Sequence, residues 1–121
     1  MEKIPLLQQK EDGNSKATWV PIKDILLFKA AKHGYAVYAK SEKEESLRTF
    51  HILEDWMVLL KPYGFERTDV GNIINISEAK HYVNKQVYFD DVLNTESPVF
   101  GTVSKPNFKR LESFLKTIKR D

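Results

Sequence analysis

The chain contains no cysteine, which excludes both a disulfide framework and a thiolate metal site. Glycine and proline supply five residues each among 121, too few for a collagen-like or low-complexity chain. No apolar run approaches the ~20 residues that a helix needs to cross a bilayer, and the N-terminus lacks the charged-then-apolar order of a secretory signal. The expectation is a soluble, cytoplasmic protein without a membrane partner. His33, His51 and His81 show no HExxH spacing, and with no thiolate to help them no metal is expected. Neither GxGxxG nor GxxxxGK occurs before a helix, and no serine lies in a GxSxG elbow. The neighbouring acids Asp90-Asp91 and Glu44-Glu45 would point to opposite faces of a strand, where they cannot work as an acid and base pair. Nothing in the sequence argues for an enzyme, and no cofactor is expected.

What is present suits one compact domain with a real core: 41% hydrophobic residues, 12% aromatic and 30% charged. The net charge of +2 is too small to establish a polyanionic partner, but its distribution is uneven. From Lys105 to Arg120 the basic residues are Lys105, Lys109, Arg110, Lys116, Lys119 and Arg120, with Glu112 as the single acid of that span. A polarised surface and a plain basic tail both fit that pattern.

Residues 1–17 end in the polar run "QQKEDGNSKA" and read as a flexible lead-in or as a loop after a short strand. The domain proper is expected over 18–121. There, short runs rich in branched and aromatic residues follow one another: "TWVPI", "DILLFKA", "YAVYAK", "SLRTF", "NIINI", "KHYV", "QVYFD" and "PVFGTV". Such spacing predicts a mainly β fold, largely antiparallel, with short helices. His33-Gly34 and Asn84-Lys85 supply hairpin turns, and Ser41 to Glu44 a looser one. "YAVYAK" alternates as a one-face-buried strand should, whereas "DILLFKA" is apolar on both faces and predicts a central strand covered on each side. Helical spacing occurs twice. Ile52, Leu53, Trp56, Leu59 and Leu60 form one apolar stripe, closed by Pro62 and Gly64. Phe108, Leu111, Phe114, Leu115 and Ile118 form another, with Ser104 as cap and Pro106 in its first turn.

The stretch "FERTDVGNIINI" (65–76) has an Asp and a Gly but carries Ile73 where a calcium loop needs an oxygen ligand, so it is not a calcium site. Together with Asp24-Ile25-Leu26, the Leu53 to Leu60 helix, Phe65, Arg67, Ile74-Asn75-Ile76 and Val103-Ser104, it resembles the LytTR-type DNA-binding domain of bacterial transcription regulators. The likeness runs from about Trp19 to Ile118, without a receiver domain. It implies an elongated fold of packed β-sheets with a short C-terminal helix, and loops rather than a recognition helix entering the major groove. Asn75 stands at the family's asparagine and is expected to satisfy backbone groups between strands. Arg67 is a candidate either for DNA or for a bridge to Glu66, Asp69 or another acid.

By that resemblance the DNA contacts fall in three places, at Lys32-His33, at Asp69-Val70-Gly71 and at Lys105-Pro106-Asn107. The residues expected to make or add to them are Lys32, His33, Arg67, Val70, Asn72, Ser104, Lys105, Asn107, Lys109 and Arg110. Asn72 can instead belong to the turn, and Lys109 and Arg110 can simply solvate an exposed helix face. The implied partner is double-stranded DNA, met by two copies on direct repeats, with a homodimer as a further option. The pattern departs from the family at Asp69, Val70 and Pro106, where side chains suited to guanine recognition are replaced. These departures motivate an alternative, a degenerate LytTR-fold interaction module that modulates a related regulator.

Overall fold

The structure is a computed structural model that describes residues 3–9, 13–31, 34–40, 47–49, 53–89 and 99–118. Seven strands form one antiparallel sheet: β1 (Lys3–Gln9), β2 (Ser15–Pro21), β3 (Ile25–Ala30), β4 (Tyr35–Ala39), β5 (Leu47–Thr49), β6 (Phe65–Asp69) and β7 (Asn72–Asn75), in the order β2-β1-β5-β4-β3-β7-β6. Three more, β8 (His81–Val83), β9 (Gln86–Tyr88) and β10 (Phe100–Thr102), make a small sheet in the order β10-β9-β8. Helix α1 (Leu53–Leu60) precedes β6, and α2 (Lys105–Thr117) follows β10. The mainly β class and packed sheets expected from the sequence are what the chain forms.

Strand β3 is central in space as well as in the pattern. Ile25 and Phe28 lie in a core with α1, Ile4, Val37 and Phe65. Leu26 and Leu27 lie in a second core with β8, β9, α2, and Val99 and Val103 on either side of β10. A strict strand would put Ile25 and Leu27 on one face. The β3–β4 register shifts between Ile25 and Leu27, and that bulge lets Ile25 and Phe28 share a side. The double coverage inferred for "DILLFKA" is therefore real, and the irregularity distributes its residues between two cores.

At the N-terminus, of the two readings of residues 1–17, the one with a short strand is what forms: β1 pairs with β2 over seven positions from Lys3↔Pro21 to Gln9↔Ser15, and Ile4 and Leu6 are buried. Strand β2 begins at Ser15, ahead of the boundary expected at 18. Alternation in "KIPLLQQ" carries the strand signal. A correction concerns α1: Leu53, Trp56 and Leu60 are buried while Leu59 is half exposed, since a helix this short presents a narrow face to the core. Ile52 and the turn expected over 41–44 lie outside the described residues. The Asn84-Lys85 turn forms as expected, both residues having positive φ (50° and 64°) as a two-residue hairpin turn requires.

The small sheet meets the large one at Gly101. A Cβ there would stand 3.1 Å from Ile74 Cγ2, 3.2 Å from Leu27 Cδ1 and 3.3 Å from Asn72 Oδ1. Gly101→Ala is therefore expected to overpack the contact and destabilise the fold by about 1–3 kcal/mol, read as a lower denaturant midpoint. A midpoint equal to wild type would show that the two sheets can separate freely.

Candidate nucleic-acid interface

The ends of the β3–β4 loop, the β6–β7 turn and the start of α2 meet at one edge of the described residues. The backbone N–H of Ala30 donates to the Gly71 carbonyl (2.8 Å), and that of Ala31 donates to Gly34 (3.1 Å). These bonds seat the ends of the β3–β4 loop against the β6–β7 turn. Contact there is tight, for a Cβ on Gly71 would come within 2.8 Å of the Ala30 Cβ. Lys32 and His33 themselves lie outside the described residues. On the other side, the Ser104 N–H donates to the Thr68 carbonyl (2.8 Å), bringing the start of α2 beside β6.

A polar brace holds the β6–β7 turn. The β6–β7 register shifts between Arg67 and Asp69, leaving Thr68 at the irregularity, and such bulges re-aim the residues that follow. Thr68 is fully buried and its hydroxyl donates to the Thr102 carbonyl at 2.7 Å. The Thr102 hydroxyl donates to Asp69 Oδ2 at 2.7 Å and accepts from Asn72 Nδ2 at 3.2 Å. Asp69 Oδ1 in turn accepts the Val70 N–H at 2.8 Å. Thus Asp69, which departs from the family pattern, is a structural carboxylate with both oxygens engaged. Held by this frame, the Val70 side chain projects from the turn with 82% of its surface exposed.

Two residues named as DNA contacts have other duties. Asn72 is only 6% exposed and its Oδ1 accepts the Thr102 N–H at 3.3 Å; it belongs to the turn's scaffold, where burial keeps the amide from a base edge. Arg67 donates to Glu54 Oε1 at 2.9 Å and to the carbonyls of Asp69 and Val70. It is the structural bridge to an acid, and the acid is on α1.

Arg110 is similarly engaged. Its guanidinium reaches Glu66 Oε2 (2.7 Å), the Arg67 carbonyl (2.7 Å) and Asn107 Oδ1 (3.1 Å). Asn107 Nδ2 donates to the Ser104 hydroxyl at 2.8 Å. Ser104 is the N-cap by backbone position, without a side-chain capping bond, and its carbonyl receives the Phe108 N–H. Ser104, Asn107 and Arg110 therefore tie α2 to β6. Lys105 and Lys109 are exposed and form no ion pair among the described residues, one helical turn apart on the outer side of α2. The structural partners Thr68, Thr102, Glu54 and Glu66 were not legible as site residues, because their roles depend on long-range pairing that no local spacing reports.

Hydrogen bonding from Arg67, then a backbone hydrogen bond and the guanidinium charge, hold the Glu54 carboxyl below its ordinary range. Because the folded value is lowered, the bridge is complete above the ordinary glutamate pKa and is lost as pH falls through the lowered one. An NMR titration should show Glu54 ionising at lower pH than a free glutamate, and Arg67→Gln should raise it toward the ordinary range, the backbone hydrogen bond keeping part of the lowering. The same titration in both proteins would show that Arg67 does not hold this carboxylate.

Among the described residues no three His, Asp or Glu side chains gather as a metal site, and no helix is long and apolar enough to cross a membrane. No family model and no curated protein matches the sequence. A solved structure from Bacillus cereus, described as the LytTR DNA-binding domain of a methyl-accepting/DNA response regulator, is similar over 95% of this chain and 97% of its own. The TM-score is 0.65 at 16% sequence identity. The similarity is one of fold, and it spans nearly the whole of both chains.

Proposed function

We propose that this chain, which is built on the LytTR fold, binds duplex DNA sequence-specifically as a bacterial, cytoplasmic transcription regulator and has no catalytic role. The observation that carries the reading is the convergence of the β3–β4 loop, the β6–β7 turn and the start of α2 on one edge, with Val70, Lys105 and Lys109 outward. Loops arranged in this way would enter the major groove, and lysines would meet phosphates on its rim. Val70 suits contact with a thymine methyl and cannot donate to guanine. Lys32 and His33 remain proposed contacts at the neighbouring loop. Arg67, Asn72, Ser104, Asn107 and Arg110 act in this reading as positioning residues, keeping the turn and the helix start in register. Two copies on direct repeats, or a homodimer, would double the contact area on a target.

The test is selection of bound duplexes from a random pool. A reproducible site enriched in A·T pairs opposite the Val70 turn is the expected result. Failure to enrich any site, together with salt-insensitive binding, would favour the second reading. In it the same fold pairs with a related regulator, a role to which Asp69, Val70 and Pro106 at the family's contact positions lend support.

A further inference from the structure

We propose that the DNA-binding surface extends beyond the three loops along a lysine ridge formed by the β8–β9 turn and the length of α2, with Lys85 and Lys116 as phosphate contacts. This rests on the DNA-binding reading above and adds to it a fourth chain segment and a direction. The Val103 N–H donates to the Lys85 carbonyl at 2.9 Å, which fastens the tip of the β8–β9 hairpin to the chain two residues before Lys105. Asn84 and Lys85 are exposed there in left-handed conformations, at φ 50° and 64°. Such conformations are uncommon for a lysine; here they turn the hairpin and leave the long cationic side chain at its tip.

The helix supplies the rest of the ridge. Lys105, Lys109 and Lys116 lie at i, i+4 and i+11, which returns them to one face of α2 across three turns, about 16 Å along its axis. All three are exposed. Glu112 lies on the same face and pairs with Lys116 at 3.3 Å, an exposed i,i+4 contact of little strength. A phosphate group can compete for Lys116 more readily than for Arg67 or Arg110, each of which also holds backbone carbonyls. The buried side of α2 turns Phe108 and Leu115 toward the hairpin, where Phe108 stacks on Tyr82 with ring centroids 5.8 Å apart. A shallow groove lined by Tyr82, Asn84, Lys85, Phe108, Leu115 and Lys116 results. Lysines thus border it on both sides, the hairpin on one and the helix on the other.

Charge placed this way follows a sugar-phosphate strand and reads no sequence. Its mark is therefore in salt dependence, since each neutralised phosphate contributes roughly 0.9 to the slope of log affinity against log salt. The experiment compares the full chain with its Lys85→Gln/Lys116→Gln variant and with Lys105→Gln, by fluorescence anisotropy on a long, labelled, mixed-sequence duplex across a salt series. Glutamine removes the charge while keeping most of the side-chain length and adds no new backbone demand, and matching thermal unfolding curves confirm that each variant folds. The double variant is expected to lose roughly tenfold or more in affinity at low salt and to flatten the slope by about two units. An unchanged slope in the double variant, with a reduced one in Lys105→Gln, overturns the ridge and leaves the loop interface standing. A wild-type chain that shows no salt-dependent binding overturns both.

Discussion

Lys105→Glu combined with Lys109→Glu should weaken duplex binding about a hundredfold at roughly 0.1 M salt, and reduce the salt slope by about two units. The magnitude follows from two lost counterion-releasing contacts and the repulsion that the new carboxylates add. Folding should be unaffected, because both side chains are exposed and the start of α2 is held by Ser104, Asn107 and Arg110 rather than by these lysines. Anisotropy titrations at several salt concentrations, with circular dichroism as the folding check, decide it. Affinity within twofold of wild type would remove these lysines from the interface. Ordinary Arg110→Ala is a poorer test of contact, since it also cuts the bonds to Glu66 and to the Arg67 carbonyl and would displace α2.

The largest effect on stability is expected at Phe28. Its ring is fully buried, tilted against Trp56 at 5.5 Å between centroids and edge-on to Phe65 at 6.4 Å. Those partners come from α1 and β6, so collapse around a deletion would have to move both a helix and a strand. Phe28→Ala should therefore cost about 3–5 kcal/mol, a drop in Tm on the order of 10–20 °C for a domain of this size. Against a typical total of about 5–15 kcal/mol, that loss brings the chain close to unfolding. Phe28→Leu, which refills much of the space, should recover over half of it. Trp56, buried and donating its indole N–H to the Thr49 hydroxyl at 3.0 Å, should report the transition by fluorescence, although Trp19 at 64% exposure contributes a constant background. A drop in Tm of only a few degrees would mean that α1 packs more loosely than its ring contacts imply.

Three residues of "FERTDVGNIINI" behave differently in the structure. Asn75 does what its place in the family pattern implies: its Nδ2 donates to the Ile25 carbonyl at 2.9 Å inside the protein, and its Oδ1 accepts from Ser77. Arg67 was open between DNA and a bridge, and the bridge is what forms. The sequence leaves Asn72 open between a contact and the turn, and it is buried in the turn's frame. The first was legible only through the resemblance, whose block carries an asparagine there; in the structure β7 lies beside β3, so the inward amide meets a carbonyl. The others were not, since an arginine or asparagine at a turn looks the same in sequence whether its partner is water, a base or a distant side chain.

The chain's composition and its ordered blocks by themselves determined a mainly β domain without disulfides, the central doubly covered strand, the two apolar helix stripes and the turn at Asn84-Lys85. These properties are local: each is written in alternation, in a helical period or in a turn residue, over a span about as long as the element it specifies. Which cations face outward was decided only by the tertiary structure. Glu54 meets Arg67 across 13 residues and Glu66 meets Arg110 across 44, while Lys105 and Lys109 are left exposed. An ion pair is chosen by proximity in the folded chain, and proximity across those separations exists only after the sheets and helices have packed.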